Sequence, residues 1–262
     1  MSPPSEGTDV KGMDVMSNRP RRVLLAAAVL AVVAVGTYPA SAANLDISIC
    51  DPNAGVHFTA DVNNSYFPLP TSPAPGQWIL TGVDKGVPTS VRITVGGTAP
   101  FYGGRVKTRQ VEEFEWQDTN NNGVVDPGEP VTEDSLNWFA QTTNGTNRGT
   151  VCYFGEVVNG DPSAAAGSWR ADDPSGQNQP GIFMPAMPRT GQSFFQESAP
   201  GVAQDQAEII GVGTVTVLGQ PRSDVIRVRE FNKAEKDKGY KLYAPGIGTV
   251  ADDTLNLISF TP

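Results

Sequence analysis

Val91-Arg92-Ile93-Thr94-Val95 sets an apolar side chain at every second position with a polar one between, the period of a strand with one face buried and one face in water. Ile226-Arg227-Val228-Arg229 repeats the alternation far along the chain. Working outward from these two, residues 77–82, 106–117, 136–141, 151–156, 193–197, 207–217, 240–244 and 254–260 read as further strands. Gly96-Gly97 and Gly103-Gly104 read as turns between them, and Ala74-Pro75-Gly76 and Ala244-Pro245-Gly246 as strand corners. Residues 136–141 and 151–156, joined around Asn144-Gly145, read as a hairpin whose second strand carries Cys152; residues 161–179, polar and small, read as a long loop containing Trp169. The expected fold is all-β and antiparallel, a single curved sheet or a partly open barrel or sandwich, with little helix apart from an N-terminal leader.

Composition narrows the function classes. The chain has 262 residues, 18% charged and 39% hydrophobic, with a net charge of −9. That sign opposes a nucleic-acid backbone and an anionic membrane surface, so no nucleic-acid partner is expected. A single His and two Cys cannot supply a Cys/His zinc site.

Arg19-Pro20-Arg21-Arg22, followed by an uncharged run from Val23 to Val35 and by Ala40-Ser41-Ala42, has the basic, apolar and small-residue regions of a signal peptide. The apolar run falls short of the about 20 residues a membrane span needs, though an N-terminal anchor is the alternative. The expected organisation is an extension and signal peptide over residues 1–42, an arm over 43–63, and a single β domain over 64–262. No stable membrane insertion is expected after cleavage, and the destination is the cell envelope or the exterior. In an exported chain the simplest state of Cys50 and Cys152 is a disulfide; two buried free thiols are the alternative.

Residues 118–129 read Asp-Thr-Asn-Asn-Asn-Gly-Val-Val-Asp-Pro-Gly-Glu. Asp118, Asn120, Asn122, the Val124 carbonyl, Asp126 and Glu129 fall at positions 1, 3, 5, 7, 9 and 12 of an EF-hand-type Ca²⁺ loop, with Gly123 at the sharp turn. Ca²⁺ takes six to eight hard oxygens, and alternate side chains of a tight loop converge to supply them. A solvated Asn-rich hairpin tip is the alternative. The flanks alternate as strands, so the loop is expected at the tip of a β-hairpin. With three ionised carboxylates its affinity should be about 10⁻⁴ to 10⁻³ M, the range of extracellular modules.

Catalytic constellations are sparse. His57 is the only His, and no G-x-S-x-G accompanies it. Carboxylates offer the remaining route, because glycoside hydrolysis needs only two at a set separation. Glu113 and Glu115 project from one face of a strand and Glu112 from the other, while Glu197, Asp205 and Glu208 gather near Gln196. Trp116, Trp138, Trp169 and Tyr153 are candidates for a sugar-stacking platform; the plain alternative is a solvated acidic face with the tryptophans in the core.

Asn64-Ser65-Tyr66-Phe67-Pro68-Leu69, Tyr153-Phe154-Gly155-Glu156, Met184-Pro185-Ala186 and Tyr243-Ala244-Pro245-Gly246-Ile247-Gly248, in that order, resemble a family of secreted bacterial β-rich proteins without an assigned activity. The last motif is similar to a corner in half-barrel, lipoprotein-carrier-like domains, and that resemblance implies a concave face for an apolar ligand. Against such relatives the Ca²⁺ loop reads as an insertion. Two functions follow as expectations: a secreted, Ca²⁺-stabilised module binding an apolar, glycan or envelope ligand, and a carboxylate-dependent hydrolase of polysaccharide.

Overall fold

The computed structural model describes residues 43–232 and 238–262; the expected leader over residues 1–42 lies outside them. Short strands β1 (Phe58–Thr59), β2 (Asn63–Asn64) and β3 (Phe67–Pro68) come first, then β4 (Gln77–Asp84), β5 (Val87–Phe101), β6 (Val106–Trp116), β7 (Val131–Thr142), β8 (Val151–Val158), β9 (Trp169–Arg170) and β10 (Gly181–Met184). The chain continues through β11 (Ser193–Phe195), β12 (Gln206–Val217), β13 (Gln220–Phe231), β14 (Lys238–Ala244), β15 (Gly248–Asp252) and β16 (Leu255–Thr261). Among the described residues there is no α-helix.

The strands form one large, curved, open sheet in the order β10-β8-β7-β6-β5-β4-β16-β15-β14-β13-β12-β11, every neighbour antiparallel. Its edges approach without completing a ladder. A Cβ on Gly181 of β10 would lie 1.8 Å from the Gln196 carbonyl oxygen beyond β11, a separation only glycine permits.

Register assigns the faces, because directly paired residues point the same way. Leu80 pairs with Val91 and with Leu257, and Ile226 with Tyr243. These side chains are buried and belong to one core on the concave side. Ile79, Thr81, Ser90, Arg92 and Phe114 alternate to the convex side.

Two expectations change. Gly96-Gly97 is no turn: it lies inside β5, where the register against β6 shifts between Val95 and Thr98. A glycine pair there lets the strand bulge past Gln110, whose Cβ a Cβ on Gly96 would approach to 3.3 Å. Residues 161–179 are not loop throughout, since Trp169–Arg170 pairs with Gly155 and Glu156 of β8.

Cys50 and Cys152 are joined, with Cα atoms 5.7 Å apart, and both are fully buried. The bond ties the N-terminal arm to β8. The arm is also held at β11, where Leu45 N–H donates to the Ser193 carbonyl and Ser193 N–H to that of Ala43. His57 is a loop residue whose N–H donates to Asn144 Oδ1.

Candidate functional site

The hairpin β6–β7 carries the Ca²⁺-type loop at its tip, as its flanking strands imply. Asp118 is its anchor. One carboxylate oxygen accepts from Ser90 Oγ at 2.6 Å and Gly123 N at 2.7 Å; the other accepts from Asn122 N at 3.0 Å. Burial alone pushes the Asp118 carboxyl up. The Ser90 hydroxyl and the N–H groups of Gly123, Asn122 and Asn121 outweigh it and hold the group below the ordinary carboxylate value.

Asn120 and Asn122 then converge on Asp126, their side-chain amides donating to the same carboxylate oxygen at 2.7 and 2.9 Å. Positions 1, 3, 5 and 9 thus share one small volume. Half a turn of each amide would present oxygen in place of nitrogen, so this donor set suits a hard cation. Glu129 is held elsewhere. Its Oε1 accepts from Thr119 N–H and its Oε2 from Asp126 N–H, and it must swing inward to ligate. Among the described residues, no three His, Cys, Asp or Glu side chains stand together as a ready-made metal cluster.

The loop is not suspended in solvent. Gly123 has φ 73°, and a Cβ there would meet Ile258 Cδ1 at 2.8 Å and Ile79 Cγ2 at 3.2 Å. Thr81 Oγ1 donates to Asn121 Oδ1 at 2.8 Å. The tip therefore folds back onto β4 and β16 on the convex side. Trp116 lies at its root, 1% exposed. Ser90 and Thr81 have no signature in the linear motif; only the pairing of β4, β5 and β6 brings them under the loop.

The expected carboxylate groups sort differently. Val91 and Ile93, on the concave side, pair with Glu115 and Glu113, while Glu112 lies convex beside Arg92. Gln196, Glu197 and Asp205 do come together, the N–H groups of Gln196 and Glu197 both donating to the Asp205 carbonyl, while Glu208 is turned away from them. Glu208 pairs with Arg229 on the convex side, Asp205 accepts from Asn232, and Glu197 is buried near Tyr153. Glu208 separates because Ala207 and Ile209 take the concave positions of β12, which turns it outward.

The concave side also carries groups that periodicity alone does not flag. Lys241 Nζ lies 3.4 Å from both Glu230 and Asp252. Burial opposes the Lys241 charge, but Asp252 and Glu230 outweigh it and hold the ammonium well above its ordinary range. Burial, reinforced by Glu156, Glu197, Glu113 and Glu133, pushes the Tyr153 hydroxyl well up; it donates to Asn137 Oδ1.

The aromatic platform is corrected: Trp116, Trp138, Trp169 and Tyr153 are all buried. Tyr153 stacks on Phe139 and meets Trp169 edge-on. Such rings build a core and offer no open stacking surface.

No family model matches the chain, and no curated protein matches it. Two solved structures do. One, from Bacteroides fragilis, is described as an exported protein with a YmcC-like fold, at 13% identity and a TM-score of 0.35, with 76% of this chain and 100% of that one covered. The other, from Parabacteroides distasonis, is described as a lipoprotein, at 10% identity and a TM-score of 0.29, covering 76% of this chain and 99% of that one. Scores this low establish neither a shared fold nor a shared activity. No helix of the described residues is long and apolar enough to cross a membrane.

Proposed function

We propose that this chain is an exported, Ca²⁺-stabilised β module of the cell envelope or exterior that holds a ligand and performs no chemistry on it. The observation that carries the metal is the convergence of Asn120, Asn122 and Asp126 beside a fixed Asp118. Asp118, Asn120, Asn122, the Val124 carbonyl, Asp126 and Glu129 would hold the ion, which would offset two of the three carboxylate charges and lock the hairpin tip on the sheet. Export rests on the leader pattern and on the Cys50–Cys152 bond, since disulfides persist in oxidising compartments.

The test is thermal unfolding of the oxidised protein in 10 mM Ca²⁺ against chelator. A site of about 10⁻⁴ to 10⁻³ M stabilises by about 1.4 to 2.7 kcal/mol at that concentration, or about 3 to 10 °C for a domain of this size. Asp126→Asn should abolish the rise without lowering the chelator melt. Superimposable wild-type curves would reject the metal.

A second reading is a carboxylate-dependent hydrolase of polysaccharide, for which Glu113 of β6 and Glu197 just beyond β11 are the candidate pair, since both, with Glu156 and Glu133, bear on the buried Tyr153 hydroxyl. Its test is reducing-sugar release from polysaccharides, with Glu113→Gln as control. Release that survives the substitution rejects this pair.

A further inference from the structure

A cavity of about 300 Å³ is built by three separate segments: Asp51 and Asn53 of the N-terminal arm, Tyr102 and Gly103 of the β5–β6 connection, and residues between 171 and 180. We infer that it is a binding site for a neutral, polyhydroxylated ligand, a sugar unit of a glycan. The inference rests on the reading of the chain as a binding module and gives that ligand a class and a place.

Tyr102 is the wall. Its backbone is held at φ 52°, a left-handed conformation that a non-glycine residue keeps only when its surroundings fix it. They do so here. Its N–H donates to Asp172 Oδ2 at 3.0 Å, and its hydroxyl donates to the Ala171 carbonyl at 2.9 Å. An aromatic ring clamped in this way offers an apolar surface at little ordering cost.

The polar rim alternates acceptors and donors. Asp51 uses Oδ1 in a local turn, accepting from Asn53 N at 2.8 Å, which leaves its Oδ2 for a ligand, and Asp173 accepts from Ser175 N at 2.9 Å and from the Ser175 side chain. Asn53 accepts from Arg105 through its oxygen and keeps its NH₂. Asn178 gives one amide hydrogen to the Arg170 carbonyl and retains the other. Sugar hydroxyls donate and accept at once, so carboxylate and amide groups side by side match adjacent hydroxyls.

Charge excludes the other ligand classes. Asp51, Asp172 and Asp173 line the cavity and no Lys or Arg does, so a phosphate or sulfate would meet like charge. Asp172 is paired with Arg170 at 3.0 Å, and Arg105 stands over Tyr102, so the residual pull on a cation is small. At about 300 Å³ the cavity is at the lower end of small-molecule sites, which suits one or two rings.

The test is calorimetric titration of the full chain with neutral oligosaccharides of glucose, galactose, mannose and N-acetylglucosamine, beside choline and a sulfated sugar. At least one neutral oligosaccharide should bind, choline and the sulfated sugar should not, and Asn53→Ala or Asp173→Ala should weaken binding roughly tenfold or more. Asn53 is exposed and Asp173 partly so, and a melting temperature measured beside each titration separates lost contacts from lost fold. Silence of every neutral sugar, preference for choline or sulfate, or unchanged affinity in both variants would overturn the site. Saccharide binding lost with Ca²⁺ stabilisation intact rejects this site alone. Saccharide binding that survives in Asp126→Asn while wild type shows no Ca²⁺ response rejects the metal alone.

Discussion

Ser90 and Asp118, 28 positions apart, share a 2.6 Å hydrogen bond from hydroxyl to carboxylate, and both residues are completely buried. A strand residue thus holds the first residue of the 118–129 tip from beneath. Ser90→Ala leaves a buried carboxylate one donor short. The expected loss is about 1.5 to 3 kcal/mol, the range for hydrogen bonds to charged groups. Urea unfolding in chelator measures it, and a change below about 0.5 kcal/mol would show the bond to be replaceable.

Gly123 combines a left-handed backbone with a Cβ position 2.8 Å from the end of Ile258. Gly123→Ala should therefore destabilise by about 1 to 2 kcal/mol from backbone strain, with a steric share added by Ile258. In an Ile258→Ala background the steric share disappears. A double-mutant cycle that shows no coupling between the two positions would mean that the loop does not rest on β16.

The Cys50–Cys152 bond spans 102 residues of sequence. Chain-entropy reasoning gives a closure of that length about 4 to 5 kcal/mol, and removal of native disulfides costs about 2 to 5 kcal/mol. Paired replacement by Ser should lower the denaturant midpoint accordingly at constant slope. A steeper slope would show that the freed unfolded chain also exposes more surface.

Tyr102 carries a pH signature. Burial, then Asp51 and Asp172, push its hydroxyl up to about 12, against a smaller opposing effect of Arg105. A folded-state value above the unfolded one of about 10 means that the contribution is complete below pH 10 and is lost as pH rises toward 12. Ultraviolet titration should show several late-ionising tyrosines, Tyr153 and Tyr243 among them, and the late fraction should shrink by one tyrosine in Tyr102→Phe. Ionisation of every affected tyrosine near pH 10 would contradict the packing of this turn.

Much of this architecture is legible in the residues. Alternation at Val91 and Ile226 marks strands because half-buried pleats require it, and the strand-like flanks of residues 118–129 place that segment at a hairpin tip. Gly96-Gly97 misleads, since a glycine pair serves a bulge as well as a turn and only the β6 register decides. The tryptophans mislead because side-chain type does not state depth: Trp116 is hidden by a loop that folds back over it. Lys241 with Glu230 and Asp252, like the wall at Tyr102, depends on contacts between distant strands or segments, which no local window contains.

The strand order bears on how the protein is made. β4 and β16, the first and last of its long strands, pair at the middle of the sheet, so the order in which the chain emerges is the reverse of what the seam requires. Throughout synthesis and translocation β4 presents a bare edge, an invitation to mispair with a neighbouring chain. Release of residues 255–261 is what seals it. A premature stop that removes only those residues should turn the secreted protein into inclusion material; it takes away Ile258, on which the 118–129 tip rests, and leaves the residues that line the cavity in place.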